Sequence, residues 1–238
     1  MKRFLSLSLV LVSLTSVVVA QNVTHGAIAM EIAECSQIGG DMLRMGGSAA
    51  DAMIAGCLCV GTVASYHSYI PSERVTEFRG IGGGGFMLVR SSEGEYETID
   101  FREKAPLLSN ETMYAQNINL SLYGGLAVGV PGELAGTLKT IHVILICIGF
   151  WKLHQRYGKL PWQTLFQPSI NLAANGFKVP YTLASVMHMP GYDFLVNDPT
   201  FAAVFAPNGT LLKEGDTMYR RTFAQTLDTI VLSKAKED

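Results

Sequence analysis

Charge of one sign is the first thing this sequence lacks. Eighteen Lys and Arg stand against twenty Asp and Glu, a formal net charge of −2. No basic surface argues for nucleic acid, and none for an anionic membrane. Cysteine is scarce: Cys35, Cys57, Cys59 and Cys147 are the only four. They are too few for a disulfide scaffold and enough for one bridge in an oxidising compartment. No pair has zinc-finger spacing, and Cys57-x-Cys59 alone is a poor metal motif. The five histidines (His25, His67, His142, His154 and His188) are scattered and read as surface or capped core residues. Neither a metal nor a cofactor is expected. Repeats and low-complexity linkers are missing as well. What remains is apolar: 48% of the 238 residues are hydrophobic, which supports one globular domain with a sizeable core.

Residues 1–20 stand apart. Lys2 and Arg3 make a short positive end, an apolar run broken only by Ser and Thr follows, and Val18-Val19-Ala20 closes it. This is the layout of a secretory signal peptide with cleavage after Ala20. The run is short for a bilayer span of about 20 apolar residues. The expected organisation is therefore a leader over 1–20 and one domain over 21–238. Four N-x-S/T sequons begin at Asn22, Asn110, Asn119 and Asn208, and they point to surface glycans on a secreted chain.

Periodicity predicts a helix over 30–45, where Ile32, Cys35, Ile38, Met42 and Met45 recur at three- and four-residue spacing. Gly46-Gly47 stops it. Ser48 with Asp51 resembles a capping box for a second helix, through about residue 64. That helix is small and apolar on every side, so it must be buried. Asp51 reads as a cap rather than a catalytic acid.

Gly80, Gly82 and Gly85 spell G-x-G-x-x-G, with Asp100 about twenty residues on, the text of a dinucleotide fingerprint. The context fails. Such a loop needs a helix after it, whereas 86–90 and 96–101 read as strand, turn, strand. A glycine run opening a buried strand serves close backbone approach or unusual dihedrals instead. Residues 107–121 read as surface loop or short helix, 124–132 as a short buried strand closed by a turn, and Glu133 as a helix start. Further helices are expected over 161–174, with a stripe of Leu165, Ile170 and Leu172, over 179–189, and in the tail to about Leu232, with 233–238 frayed. The pattern is an α/β layered domain with an antiparallel component.

Five stretches, HGAIAMEIAECSQIGGDMLRMGGSAADAMIAGCLCVG, GIGGGGFMLVR, IDFREKAP, GGLAVGVPGELAG and HQRYGKLPWQTLFQPSINLAANGF, together resemble the γ-glutamyltranspeptidases, or glutathione hydrolases, of a fungal or other eukaryotic secretory pathway. The resemblance implies an N-terminal-nucleophile hydrolase fold, an αββα sandwich that is incomplete in this chain. It implies that Arg102 grips the α-carboxylate of a γ-glutamyl group, and that Cys35 pairs with Cys59, leaving Cys57 a buried thiol. The implied partners are glutathione, other γ-glutamyl compounds, and a small subunit cut from the same precursor.

The sequence also departs from that family. Its nucleophile is a threonine freed by self-cleavage, and no threonine among these residues has the matching context. The expectation is a chain inactive by itself; the alternative is a truncated, non-catalytic secreted relative. Residues 69–79 and 143–153 interrupt matching text and read as translated introns. A spliced transcript is expected to lack both and to continue past Asp238.

Overall fold

A computed structural model describes residues 26–68, 81–121, 125–130 and 149–234. The expected leader, the Asn22 sequon, the stretch 69–79 and the helix expected from Glu133 lie outside these residues.

Helix α1 spans Ala33–Arg44 and buries Cys35, Ile38 and Met42. It starts three residues later than its periodicity predicts. The Ser36 hydroxyl accepts from the Met30 amide at 2.8 Å and donates to the Met30 carbonyl at 3.2 Å. Met30 is thereby committed to a loop, and Ile32, the N-cap, is extended. Gly46 ends the helix with φ +87°. Its neighbour Gly47 donates back to the Met42 carbonyl at 2.9 Å, a left-handed C-terminal cap that glycine adopts without steric cost.

Helix α2, Ala49–Val63, carries the predicted capping box. Ala52, Ile54, Ala55, Leu58, Cys59 and Val63 are almost wholly buried. A disulfide joins Cys35 of α1 to Cys59 of α2 across a Cα–Cα distance of 5.3 Å. Cys57 is half-buried rather than buried. A residue two positions from Cys59 is turned about 200° around the helix, away from the α1 contact.

Strands β1, Phe86–Arg90, and β2, Tyr96–Asp100, form an antiparallel hairpin in register Leu88 to Thr98. The hairpin is as expected, but it is buried on one face only. Ile99 is fully buried with Met87 and Val89 partly so, while Phe86, Leu88 and Tyr96 are about two-thirds exposed. The expected strand over 124–132 is also corrected. Its described part is a 3₁₀ turn, Gly125–Ala127, followed by a single bridge from Val130 to Lys104.

Helix α3 spans Gly149–Tyr157, with Phe150 and Leu153 buried against the core. Residues 149–153 of the second interruption form the start of α3; 143–148 lie outside the described residues. Helix α4, Trp162–Asn175, buries Trp162, Leu165, Phe166, Ser169 and Ala173. Ile170 and Leu172 are only partly buried, so the stripe is rotated from the expected one. Packing of α4 between α2 and α8 selects the rotated face. Strand β3, Phe177–Lys178, then leads to helices α5, Tyr181–Met187, α6, Phe194–Asn197, and α7, Pro199–Phe205. Strand β4, Thr217–Met218, pairs antiparallel with β3, and α8, Arg221–Lys234, closes the described chain.

Both ends of α2 are held from afar. At its start, Asp51 is fully buried. One carboxylate oxygen, Oδ2, accepts from the Ser48 amide at 2.8 Å and the Ser48 hydroxyl at 3.1 Å. The same oxygen accepts from the Lys159 and Leu160 amides at 2.9 and 3.2 Å. His154 flanks it, its Nε2 donating to the Leu160 carbonyl at 2.8 Å. At the other end, the buried Arg220 donates through Nη1 to the Gly61 and Thr62 carbonyls, both at 2.8 Å. Burial pushes its guanidinium down to about 10, so it is still charged at neutral pH. Replacing Asp51 by Ala removes the N3 half of the capping box and takes the acceptor from the half-buried Lys159 and Leu160 amides. A loss of about 2–4 kcal/mol is expected, read from the midpoint of urea unfolding at unchanged slope.

Candidate functional site

Arg102 is where the sequence reading placed its substrate contact. It lies two residues past the end of β2, and its side chain is 49% exposed. The backbone around it is fixed on both sides. On one side the Phe101 amide donates to the Gly85 carbonyl at 3.0 Å, continuing the hairpin ladder into the glycine run. On the other, Lys104 and Val130 exchange two hydrogen bonds, of 3.1 and 2.8 Å. The Asp100 carboxylate accepts from the Arg102 amide at 3.0 Å, an Asx turn that sets the bend after the strand. The Phe101 ring lies against Gly85 and Gly149 and is tilted 43° to Phe150 at 6.3 Å. Residues 100–104 therefore form a short extended segment held between the glycine run and the turn before Pro131.

Among the described residues the guanidinium pairs with the Glu103 carboxylate at 3.3 Å. A pair of adjacent side chains this exposed is weak. A guanidinium fork is able to take a carboxylate in a bidentate arrangement. The arrangement can hold an anionic group; no nucleophile accompanies it among the described residues. The hairpin is fastened to α3 by Glu97, which accepts from the Tyr157 hydroxyl at 2.9 Å and pairs with Arg156. Beside the segment runs an open groove lined by Lys104, Pro106, Asn110, Tyr114, Leu126 and Gly129, among others. The Tyr114 hydroxyl donates across it to the Leu126 carbonyl at 2.7 Å.

Asn110, Asn119 and Asn208 are all exposed, and the Asn110 carboxamide oxygen accepts from the amide and hydroxyl of Thr112 at 3.1 and 2.9 Å. Gly82 and Gly85 precede a strand rather than a helix, and Asp100 serves the Arg102 turn. The dinucleotide reading has no footing here. His154 and His188 each meet a backbone carbonyl at 2.8 Å. The sequence reading missed Arg220 and the Glu97 clamp, because both act across long sequence separations without a local motif.

The geometry so far is a mixed helix-and-sheet fold whose hairpin presents an arginine at a strand end. Residues 35–237 match the family model described as gamma-glutamyltranspeptidase, and the chain belongs to that family. The glutathione hydrolase proenzyme of Arthroderma benhamiae is 42% identical over 212 residues, covering 86% of this chain and 33% of its own length. Glutathione hydrolase proenzyme 1 of Schizosaccharomyces pombe is 40% identical over 206 residues, covering 87% and 29%. Of solved structures, the Helicobacter pylori gamma-glutamyltranspeptidase aligns with a TM-score of 0.73 at 28% identity, covering 89% of this chain and 55% of that one. The gamma-glutamyltranspeptidase of Pseudomonas nitroreducens gives 0.67 at 31%, covering 87% and 54%. The fold is the N-terminal-nucleophile hydrolase fold of these structures, about half of it present here. The chain spans about a third of the length of the curated relatives it matches.

The open hairpin face generates a prediction. Replacing Phe86, Leu88 and Tyr96 together by Thr should leave the fold intact and sharply lower binding of a hydrophobic dye such as ANS to the purified chain. Unchanged dye binding would mean that the exposed apolar surface lies elsewhere.

Proposed function

We propose that this chain is the N-terminal part of the large subunit of a glutathione hydrolase. In this reading Arg102 receives the α-carboxylate of the γ-glutamyl donor, and the γ-amide is cleaved by a threonine supplied outside these 238 residues. The observation that carries the reading is the fixed backbone on either side of an exposed arginine, in a family whose members here are named for glutathione hydrolysis. The threonine hydroxyl attacks the γ-carbonyl, its own amine taking the proton. The amide C–N bond breaks, cysteinylglycine leaves as the amine, and the acyl group passes to water or to an amino acid or peptide acceptor. Arg102 fixes which end of the donor faces inward, a positioning role.

The purified 238-residue chain is expected to release no glutamate from glutathione; measurable release would overturn the assignment of the nucleophile. In the complete proenzyme, Arg102→Ala should raise the donor KM by about tenfold or more, the worth of a charge-assisted hydrogen bond. An unchanged KM would remove Arg102 from the site.

A secretory route is part of the proposal, ending in the vacuole, the cell surface or the medium. It is supported by the leader-like layout of 1–20 and by the exposure of Asn110, Asn119 and Asn208. Expressed in a eukaryotic secretory host, the protein should begin at Gln21 and lose mass on enzymatic removal of N-glycans; an intact Met1 without glycans would reject the route.

A further inference from the structure

The glycine run before β1 has a use that neither phosphate binding nor an unusual backbone explains. Neither Gly84 nor Gly85 has a left-handed φ, so conformation does not demand glycine there. Space demands it at Gly84. A Cβ on Gly84 would stand 2.9 Å from the Glu103 amide nitrogen and 3.0 Å from the Arg102 carbonyl carbon, with the Phe101 carbonyl oxygen closer still. All three are backbone atoms, which cannot rotate aside as a side chain can. At Gly85 the nearest atom is the edge of the Phe101 ring at 3.2 Å, a side chain rather than backbone. Gly84 thus lies directly against the peptide that carries Arg102. From the strand side, the Asp100 carboxylate holds the Arg102 amide at 3.0 Å.

We propose that Gly84 and Asp100 form a backbone clasp that positions Arg102 for the donor carboxylate. Both are positioning residues, since neither need touch substrate. This rests on the assignment of Arg102 made above. A methyl group at position 84 pushes residues 101–103 outward and moves the guanidinium off the donor. Removing the Asp100 acceptor frees the turn that aims it. Asn at position 100 keeps a carboxamide oxygen in the acceptor position and restores the turn.

The test uses the complete proenzyme and two anilide donors, γ-glutamyl anilide and 4-aminobutanoyl anilide, which differ only by the α-carboxylate. Arg102→Ala, Gly84→Ala, Gly85→Ala, Asp100→Ala and Asp100→Asn are compared with the parent. Gly84→Ala and Asp100→Ala should each lower kcat/KM for γ-glutamyl anilide by about tenfold or more, chiefly through KM, as expected for loss of a charge-assisted contact. The carboxylate-free donor should change little. Asp100→Asn and Gly85→Ala should stay close to the parent on both donors. If Gly84→Ala and Asp100→Ala slow both donors equally, they serve packing and the clasp is wrong. If Gly84→Ala does not fold, the Asp100 pair decides: Ala impairing and Asn rescuing the γ-glutamyl donor alone supports the clasp, and any other pattern overturns it. If Arg102→Ala is donor-selective while the clasp variants are not, the clasp alone fails. If Arg102→Ala treats both donors alike, the carboxylate assignment fails and the clasp with it.

Discussion

Helix α2 is apolar on every side and mostly buried, and both its ends are tied into the protein. Its first amides and last carbonyls need partners inside the protein, because an unpaired buried backbone group costs about as much as a lost hydrogen bond. A carboxylate closes one end and a guanidinium the other. Asp51 is negative at the N-terminus and Arg220 positive at the C-terminus, each sign favoured by the helix dipole. Neither is a free-standing cap. Asp51 Oδ2 also gathers the Lys159 and Leu160 amides, so the turn between α3 and α4 is hung from the start of α2. Arg220 is the residue before α8, so the last helix is aimed by the end of α2. The aromatic ring of Phe223 lies 4.0 Å from the same guanidinium and replaces part of its lost hydration. With the bridge to α1 at Cys59, four helices take their places from one.

The hairpin follows different logic. It is fastened to this helical frame through Glu97, Phe101 and Ile99, all on or beyond β2. Its opposite face carries Phe86, Leu88 and Tyr96 open to water. A two-stranded hairpin is marginal in water and gains from a third strand or a packed face. Here one face is packed and the other is open among the described residues. The consequence reaches Arg102: it is fixed in backbone yet half exposed in side chain.

What could be read in the sequence was local. The capping box, the Gly46 stop, the all-apolar α2 and the hairpin are decided by residues within a turn or two of one another, and each is in place. The strand expected over 124–132 was misread. Small apolar residues around glycines suit a strand and a tight turn alike, and only the Lys104–Val130 bridge tells them apart. Helices α6 and α7 are four and seven residues long, too short for a periodic signal. The face of α4 was misjudged by a rotation, because its neighbours and not its own pattern choose the buried side. Arg220 had no signal at all: a lone arginine ahead of a helix reads as surface.

The glycine run separates these two kinds of information. Its spelling suggested a phosphate loop, and its following strand removed that reading from sequence alone. The spacing could not say which glycine is indispensable, since four in a row look alike. The fold distinguishes them by what a single carbon would meet. At Gly85 it meets a side-chain ring, and at Gly84 it meets the backbone of the 101–102 and 102–103 peptides, inside a segment whose neighbouring groups are bonded to Gly85, Asp100 and Val130. The constraint at Gly84 is therefore not local to the loop. It is imposed by the segment that ends in Arg102, so the sequence around the arginine and the sequence of the glycine run must be read as one unit.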